Sequence, residues 1–456
     1  IPLKVSLFYE AIAGADFISK WVKVDPCEQC GIEIRKITID RMELGEVDGV
    51  IPAPRYTRTY DNGEDRVHSE PDKVNADDRD RRFAIGDTSR NLLKHRSGDE
   101  GLFFFAETLL GCESFDRESG LVISEREYAP ISDGSTTGPA VIGAYTGPLE
   151  IGFKRYTQHL LDHWCAVRDK KLSYAWNTWM VTLEGNKPLC AGYDRDFLVE
   201  YIPYLKNAGI FDTLHLDLGW EGGYPLKVDE QKFPNGIIEI VNLAKEAGMN
   251  MSYWVNPFSC LYWKSCLEEQ HPEYLVPDVI SNKCGANAIC VTTEHHGYAK
   301  QRFVEMVTES NAINLYWDGL DWNIPNCCSD KHGHSDQEEL EVKAWKLLGD
   351  LCDAAHQARP DLVMICFSLP FNNHRLRHLD QEQISDTYSF PTVQAELIQR
   401  QQLYQMTWEH PHKAIWGSWY GLDWHDAGDS DLRNRPMEQM IHAEMSMIGN
   451  GIAQAG

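Results

Sequence analysis

The chain has 456 residues, 11% of them aromatic, and its 69 acidic residues outnumber its 43 basic residues to give a formal net charge of −26. This composition is that of a globular protein, and it excludes a disordered, collagenous or disulfide-miniprotein chain. The acidic charge also argues against nucleic acid as a partner, because binding to the phosphate backbone requires clustered Lys and Arg.

Short apolar runs separated by turn residues occupy residues 1–150 and predict antiparallel β structure. The predicted strands fall in residues 5–8, 32–39, 101–109, 120–122 and 140–145. Residues 60–82 are polar and offer little to bury, so we expect a solvated loop there. A calcium site in this loop is left open, although the usual D-x-D-x-D-G spacing is absent.

From residue 151 to residue 456 strand-like runs alternate with helical ones, which predicts an α/β fold with a parallel sheet. Strands are predicted at residues 173–177, 213–218, 251–255, 314–318, 362–367, 383–386, 413–417 and 451–454. Helices are predicted at residues 194–208, 237–247, 299–309, 336–358, 392–404 and 437–448. Eight such strands predict a (β/α)8 TIM barrel, a fold that takes about 250 residues. Because the sequence ends directly after the eighth strand, we expect the C-terminal part of this catalytic domain to be missing.

Other classes of protein and site are disfavoured by simple patterns. No run of about 18 apolar residues predicts a transmembrane helix. The sequence begins at Ile1 without a signal-peptide pattern, so a cytoplasmic and a secreted bacterial location both stay open. Thirteen cysteines, an odd number, argue against a fully paired extracellular framework. No metal or other cofactor is predicted, because Cys260, Cys266, Cys284 and Cys290 lack the short C-x2-4-C spacing of structural zinc sites.

Three aspartates terminate predicted strands, at the edge of a barrel where active sites lie. They are Asp217, Asp318 and Asp386. Two carboxyl groups that flank a glycosidic bond can cleave it without a cofactor.

Tryptophans are abundant near the same strand ends, and flat aromatic faces beside carboxylates are typical of carbohydrate clefts. We expect about half of them to serve packing instead. The set comprises Trp176, Trp179, Trp220, Trp254, Trp317, Trp322, Trp416, Trp419 and Trp424.

Several ordered segments resemble the α-galactosidases of glycoside hydrolase family 36, which share a clan of retaining α-glycosidases with families 27 and 31. Residues 211–220 read F-D-T-L-H-L-D-L-G-W, and residues 254–257 and 271–274 follow in the order of that family's W-x-E-P and H-P-D-W patterns. Residues 316–318, Y-W-D, correspond to its K-W-D nucleophile motif, and Ser385-Asp386 to its S-D acid/base motif. The resemblance extends over nearly the whole chain in patches, and it implies that residues 1–150 are part of the family's N-terminal β-sandwich domain.

The resemblance implies a retaining, exo-acting hydrolase of oligosaccharides or glycoconjugates, with Asp318 as nucleophile and Asp386 as general acid and then base. It implies that Asp217 holds sugar hydroxyls and that Trp220 and Trp254 form subsite walls. Further substrate-binding positions implied are Asn256, Tyr316, Trp317 and Cys366.

Departures from the family pattern concern sugar-binding positions rather than the two acids. Leu218 replaces the second Asp of D-D-G-W, Tyr316 replaces a Lys, and Asn256 replaces a Glu. Galactose specificity therefore stays open, and α-N-acetylgalactosaminidase and transglycosylase activities are alternatives, as is a glycan-binding barrel without turnover.

A hydrolase that uses a metal is a further alternative. It would draw on His295, His296, His332, His334 and His425, whose spacing matches no H-E-x-x-H motif. No membrane insertion is expected, and a homo-oligomer is left open.

Overall fold

The structure is a computed structural model. It describes residues 4–11, 16–25, 36–43, 47–52, 57–61, 64–68, 91–95, 100–106, 111–116, 121–127, 139–147, 151, 173–178, 193–258, 267–281, 286–318, 327–335, 337–367, 378, 380–383 and 414–416.

The N-terminal part is antiparallel β, as predicted. A six-stranded sheet has the order β1-β2-β11-β8-β7-β4, a three-stranded sheet has the order β3-β10-β9, and β5 pairs with β6. The strands are β1 (Lys4–Ala11), β2 (Phe17–Asp25), β3 (Lys36–Glu43), β4 (Val47–Pro52), β5 (Thr57–Asp61), β6 (Glu64–His68), β7 (Asn91–His95), β8 (Glu100–Ala106), β9 (Gly111–Asp116), β10 (Leu121–Glu127) and β11 (Ala140–Thr146).

A small apolar core joins the two larger sheets. Val22 and Val24 of β2 pack with Ala140 of β11 and with Ile39 of β3, and all four are buried. The Lys20 ammonium donates a hydrogen bond to the Ile39 carbonyl at 2.8 Å, which adds a polar tie between the same sheets. Side chains from facing sheets thus share one interior, as in a β-sandwich.

The prediction of a solvated loop over residues 60–82 was wrong in its first part. Strands β5 and β6 pair there with Tyr60 opposite Asp65 and Asp61 opposite Glu64. The sequence between the two strands is Asn-Gly, the strongest short hairpin signal, and main-chain hydrogen bonds need no apolar residues. The remainder of the segment considered for calcium lies outside the described residues.

The C-terminal part contains a parallel sheet of seven strands whose spatial order follows the sequence. Its strands are β12 (Ala175–Asn177), β13 (Thr213–Leu216), β14 (Asn250–Val255), β17 (Ala312–Asp318), β18 (Val363–Phe367), β19 (Gln381–Gln383) and β20 (Ala414–Trp416). An antiparallel hairpin of β15 (Leu275–Ser281) and β16 (Ala286–Ile289) is inserted after β14.

The described helices alternate with these strands. They are α1 (Arg195–Ala208), α2 (Ile238–Glu246), α3 (Leu267–Gln270), α4 (His295–Glu309) and α5 (Gln337–Ala358), with a short 3-10 helix at Pro272–Tyr274. Six of the eight predicted strands and four of the six predicted helices are therefore confirmed. The predicted strand 383–386 shares only Gln383 with β19, and its other residues lie outside the described residues. The predicted strand 451–454 and the predicted helices 392–404 and 437–448 lie outside the described residues. None of the described helices is long and apolar enough to cross a membrane.

Helix α1 shows how local sequence sets these boundaries. The Asp194 carboxylate accepts a hydrogen bond from the Phe197 amide at 2.9 Å, which satisfies one free donor of the first turn. Gly209 ends the helix at a φ of 68°, a conformation that suits glycine because it lacks a Cβ.

The two faces of the parallel sheet differ in chemistry because side chains alternate along each strand. Leu214, Leu216, Tyr253, Leu315 and Trp317 pack with helix residues in the main hydrophobic core. The intervening positions form what we call the polar face. It comprises Asn177, His215, Asp217, Ser252, Trp254, Asn256, Asn314 and Tyr316, all of them buried.

The sheet is strongly curved. The Asn314 side-chain amide, on the fourth strand, donates a hydrogen bond at 2.8 Å to the Ser173 hydroxyl, just before the first strand. In a flat sheet these strands would lie about 14 Å apart, since neighbouring strands are spaced by about 4.8 Å. The polar face is therefore concave.

Candidate active site

Asp217 lies directly after β13 and is held in place by both neighbouring side chains and the main chain. The Asn177 side-chain amide donates to its Oδ2 at 2.8 Å, and the Leu218 amide donates to its Oδ1 at 2.7 Å. Its own amide donates to the Thr178 hydroxyl at 2.8 Å. The Asp217 side chain is 7% exposed, so these contacts replace most of its hydration.

His215 connects Asp217 to the next two strands. Its Nε2 lies 3.4 Å from Asp217 Oδ2, and its Nδ1 lies 2.7 Å from the Ser252 hydroxyl. Its ring also meets the Tyr316 ring edge-on, with centroids 5.5 Å apart. One polar network therefore runs from β12 to β17 across the concave face.

The tryptophans fall on both faces of the sheet. Trp220 and Trp317 are each 1% exposed and belong to the main hydrophobic core, where Trp317 packs edge-on against Phe303 of α4. Trp317 directly follows Tyr316 of the polar face, so strand alternation explains its placement on the opposite side of β17. The expected contact of Trp220 and Trp317 with substrate stays a prediction. Trp176 is also in this core.

Trp254 and Asn256 lie on the polar side of β14 and its C-terminal extension. They are 2% and 1% exposed, respectively. The Trp220 indole donates a hydrogen bond at 2.8 Å to the Trp254 carbonyl, so Trp220 supports the backbone of this strand end. Trp254, one of the two residues predicted to form subsite walls, therefore lies next to the polar network.

Of the two predicted catalytic aspartates, only Asp318 is among the described residues. Asp318 is the last residue of β17 and pairs in parallel register with Phe367 of β18, and Cys366 pairs with Trp317. Asp386 lies outside the described residues, beyond the end of β19. The distance between the two carboxyl groups therefore stays a prediction.

Several residues of the network were missed at the level of sequence. Thr213, His215 and Asp217 alternate with Leu214 and Leu216, a period-2 pattern that could have placed His215 beside Asp217. No comparable pattern marks Asn177 or Ser252, which belong to other strands.

Glu221 is a second buried acid near the end of β13. It is 2% exposed, and its carboxylate accepts a hydrogen bond from the Leu226 amide at 2.9 Å. Burial raises the pKa of Glu221 well above its usual range, and the Leu226 amide and the charge of Arg302 offset only part of this. No sequence pattern distinguishes Glu221 from the other acidic residues.

The histidines considered for a metal-dependent hydrolase separate into different environments. His295 is buried in α4, where its Nε2 donates to the Pro257 carbonyl at 2.6 Å and its Nδ1 accepts from the Tyr224 hydroxyl at 3.1 Å. His332 and His334 lie instead with Cys290 and Cys327, a group whose side chains could hold a metal ion. Neither His295 nor the group of Cys290, Cys327, His332 and His334 belongs to the polar face.

Comparison with known proteins identifies similarity at the level of structure. No family model matches the sequence, and no curated protein matches it. The α-galactosidase from Lactobacillus brevis superposes with a TM-score of 0.69 at 15% identity, over 99% of this chain and 65% of that one. The family 36 α-galactosidase AgaB from Geobacillus stearothermophilus superposes with a TM-score of 0.68 at 16% identity, over 99% and 67%.

The chain has the fold of the family 36 α-galactosidases. A substituted form of AgaA from Geobacillus stearothermophilus, solved in complex with stachyose, gives a TM-score of 0.67 at 15% identity, over 99% of this chain and 68% of that one. The family 36 fold thus agrees with the resemblance of the sequence motifs, and this chain spans about two thirds of the length of these structures. Identity this low establishes the architecture alone, so the chemistry of this family 36 fold depends on its own residues.

Proposed function

We propose that this protein is a retaining, exo-acting α-glycosidase of the α-galactosidase type, which acts on oligosaccharides or glycoconjugates. The observation that carries the proposal is the polar network on the concave face, which includes Asp217 and extends to Tyr316, two positions before Asp318 in β17. The family 36 fold supports it, because the solved proteins with this fold named above are α-galactosidases.

We assign residues 1–150 to a β-sandwich domain and residues 151–456 to a (β/α)8 catalytic barrel. The curvature that brings Ser173 to Asn314 supports closure of the parallel sheet, since the first and fourth strands touch across its interior. An eighth strand at residues 451–454 would complete the barrel.

Asp318 is the proposed nucleophile. It follows Tyr316 by two positions in β17, so strand alternation assigns position 318 to the polar face. Its carboxylate attacks the anomeric carbon, the glycosidic C–O bond breaks, and a glycosyl-aspartate forms.

Asp386 is the proposed acid and base. It protonates the departing oxygen in the first step, and in the second step it removes a proton from the water that cleaves the ester. Two inversions at the same carbon retain its configuration. In the sequence Asp386 follows the last residue of the sixth strand by three positions, and active sites of such folds use residues that follow the C-terminal ends of strands, which supports this role.

Asp217 is proposed to bind sugar hydroxyls, together with Trp254, Asn256, Tyr316 and Cys366. Among the described residues, two hydrogen bonds and the contact with His215 use three of the roughly four lone-pair sites of the Asp217 carboxylate. That leaves about one site for a hydroxyl donor.

The sugar is proposed to be α-linked galactose, as the stachyose complex of the similar structure suggests. Leu218, Tyr316 and Asn256 stand at sugar-binding positions where the family has charged residues, so N-acetylgalactosamine is the alternative sugar. Transfer of the glycosyl unit to another sugar uses the same intermediate.

The decisive experiment compares Asp318→Gly with the full-length wild-type protein on α-galactosides. We expect turnover to fall by at least about 10³-fold because the covalent step is lost. Added azide should restore the release of the leaving group and give a β-galactosyl azide. Asp361→Asn is the matched control, since Asp361 is an acid whose side chain is 72% exposed.

Asp386→Asn tests the acid/base role. We expect nitrophenyl substrates to be cleaved with little loss in the first step, whereas oligosaccharides with poor leaving groups lose most of their rate. Equal losses on both substrate classes would contradict this assignment. Proton NMR of the first anomer released by the wild type should show retention, and inversion would overturn the double displacement.

A glycan-binding protein without turnover is the second candidate, favoured by the replaced sugar-binding positions at Leu218 and Asn256. It would be supported if the wild type released no sugar from galactose, N-acetylgalactosamine and glucose α-glycosides yet bound one of them in calorimetry.

A further inference from the structure

Four side chains with metal-binding chemistry meet away from the polar face. Cys290 directly follows β16, and Cys327, His332 and His334 lie between β17 and α5. One ligand atom from each lies within 4.8 Å of every other. Cys290, Cys327 and His334 are buried, and His332 is half-buried. The arrangement brings together positions that are far apart in the sequence.

The orientation of His332 is fixed by a contact outside the group. Its Nε2 lies 3.0 Å from the Glu273 carbonyl oxygen. A carbonyl can only accept, so Nε2 carries the hydrogen and Nδ1 presents its lone pair to the group, 3.0 Å from Cys327 Sγ. A second hydrogen bond of this kind is what fixes the tautomer of a metal-binding histidine.

The main chain around the ligands is also held. The Cys290 amide donates to the Tyr274 carbonyl at 2.9 Å, and the Thr293 hydroxyl donates to the Cys290 carbonyl at 2.7 Å. Gly333, between the two histidines, approaches the Thr292 carbonyl so closely that an added Cβ would lie 3.0 Å from its oxygen. The backbone of the segment that contains Cys290 is therefore in close contact with the backbone of the segment that contains His332 and His334, without a bound metal.

We propose that Cys290, Cys327, His332 and His334 bind one structural Zn2+ ion. Two sulfurs and two imidazole nitrogens form a tetrahedral set typical of zinc, and four protein ligands leave no open position for a catalytic water. With ordinary zinc bond lengths the ligand atoms lie about 3.3–3.8 Å apart, so the widest pairs would close by at most about 1 Å. Cys327 Sγ and His332 Nδ1, 3.0 Å apart, would separate slightly. Both thiols bind as thiolates, and their protons pass to solvent.

The ion would cross-link the β15–β16 hairpin to the segment that connects β17 with α5. That segment follows Asp318 in the chain, so the site would restrain the loop beyond the proposed nucleophile. The inference goes beyond the proposed glycosidase and does not depend on it, because it rests on ligands that take no part in sugar chemistry.

The chain supplies matched controls for the test. Cys328 is adjacent to Cys327 but exposed, and Cys352 is buried in α5 outside the group. The full-length protein, purified without chelator and dialysed against zinc, should contain one zinc ion per chain by elemental analysis. Cys328→Ser should retain it, whereas Cys327→Ser and His334→Ala should weaken zinc binding by more than about 100-fold.

Cobalt provides a readout that identifies the ligands. Co2+ bound in place of zinc should give the intense visible bands of a tetrahedral site and a thiolate charge-transfer band, present in Cys328→Ser and absent in Cys327→Ser. A metal chelator should lower the melting temperature of the wild type and Cys328→Ser.

Three outcomes would overturn the site. They are a wild type that holds no zinc after dialysis, equal zinc content in Cys327→Ser and Cys328→Ser, and a Cys290–Cys327 disulfide in unreduced peptides by mass spectrometry. If Cys327→Ser fails to fold, alkylation of the wild type decides, since zinc must protect Cys290 and Cys327 but not Cys328. Sugar release by the wild type reports on the glycosidase proposal separately.

Discussion

His295 is a buried base whose neutral form is specified by its neighbours. The ring donates to the Pro257 carbonyl and accepts from the Tyr224 hydroxyl, which uses both nitrogens of a neutral imidazole. Burial lowers the pKa of His295 to about 4, and the Pro257 carbonyl offsets part of that shift. The interaction therefore links stability to pH.

His295→Gln tests this linkage. The unfolded chain takes up a proton near pH 6.5, whereas native His295 does so only near a pKa of about 4. Its contribution is therefore fully present above about pH 6.5 and is lost as the pH falls through about 4. Urea unfolding should show the wild type losing about 3 kcal/mol more than the variant between about pH 7 and pH 4. Parallel pH profiles would contradict the assignment.

Sequence patterns predicted individual residues when a strand supplied their spacing. Asp217 and Asp318 were placed correctly at strand ends because an apolar run precedes each. Trp317 was predicted to contact substrate from its motif alone. The side-chain alternation of β17, which directs Trp317 into the core, was not considered. The group of Cys290, Cys327 and His332 could not be predicted, since it depends on two connections that meet only in the fold.

At the scale of elements, the connection after β13 is closed by a tight backbone contact. Glu221 and Val228 form an isolated antiparallel bridge, and the Gly222 amide donates to the Lys227 carbonyl at 2.9 Å. A Cβ added to Gly222 would lie 2.7 Å from the Asp229 Cα. Because main chain cannot move aside as a side chain can, this position requires glycine.

Gly222→Ala should therefore destabilise the fold by about 1–3 kcal/mol, the usual cost of overpacking. Gly297→Ala is the matched control, because nothing lies within 4 Å of an added Cβ and the residue is inside α4. Alanine favours the helix by up to about 1 kcal/mol there. Denaturant unfolding of both variants measures the contrast, and equal losses would show that the contact at Gly222 relaxes.

Elements were predictable to the extent that burial left an apolar pattern. Most of the parallel strands pack against helices on one side and carry clear apolar runs, so six of them were found. Strand β19 is Gln-Glu-Gln and has no such run. Strands β2, β4, β7 and β9 were missed, as was the β5–β6 hairpin, because pairing through main-chain hydrogen bonds leaves little apolar signature in a sequence.

At the scale of the whole molecule, the net charge of −26 opposes the compact state. Raising sodium chloride from about 0.01 M to about 0.15 M shortens the screening length from about 30 Å to about 8 Å. We expect the melting temperature to rise, whereas sorbitol at equal osmolarity should not reproduce the whole effect. A fall would show that ion pairs such as Arg195 with Glu239 outweigh the repulsion.

The α/β architecture and a curved sheet were predictable from the order of elements, but the contacts across the concave face were not. Local sequence determines which residues form a strand, whereas these contacts join strands that are not neighbours. Ser173 and Asn314 show this, since neither belongs to a motif and their contact is visible only in three dimensions.

The same contact has a consequence for the order of assembly. Ser173 and Asn314 are 141 residues apart in the chain, and loops of that length close late because their ends must first find each other. On the ribosome, the first strand of the sheet must wait for the fourth to be synthesised before this bond can form. Until then the sheet is incomplete, and its unpaired strand edges and apolar surface are exposed to solvent. At this stage a nascent chain most needs a chaperone.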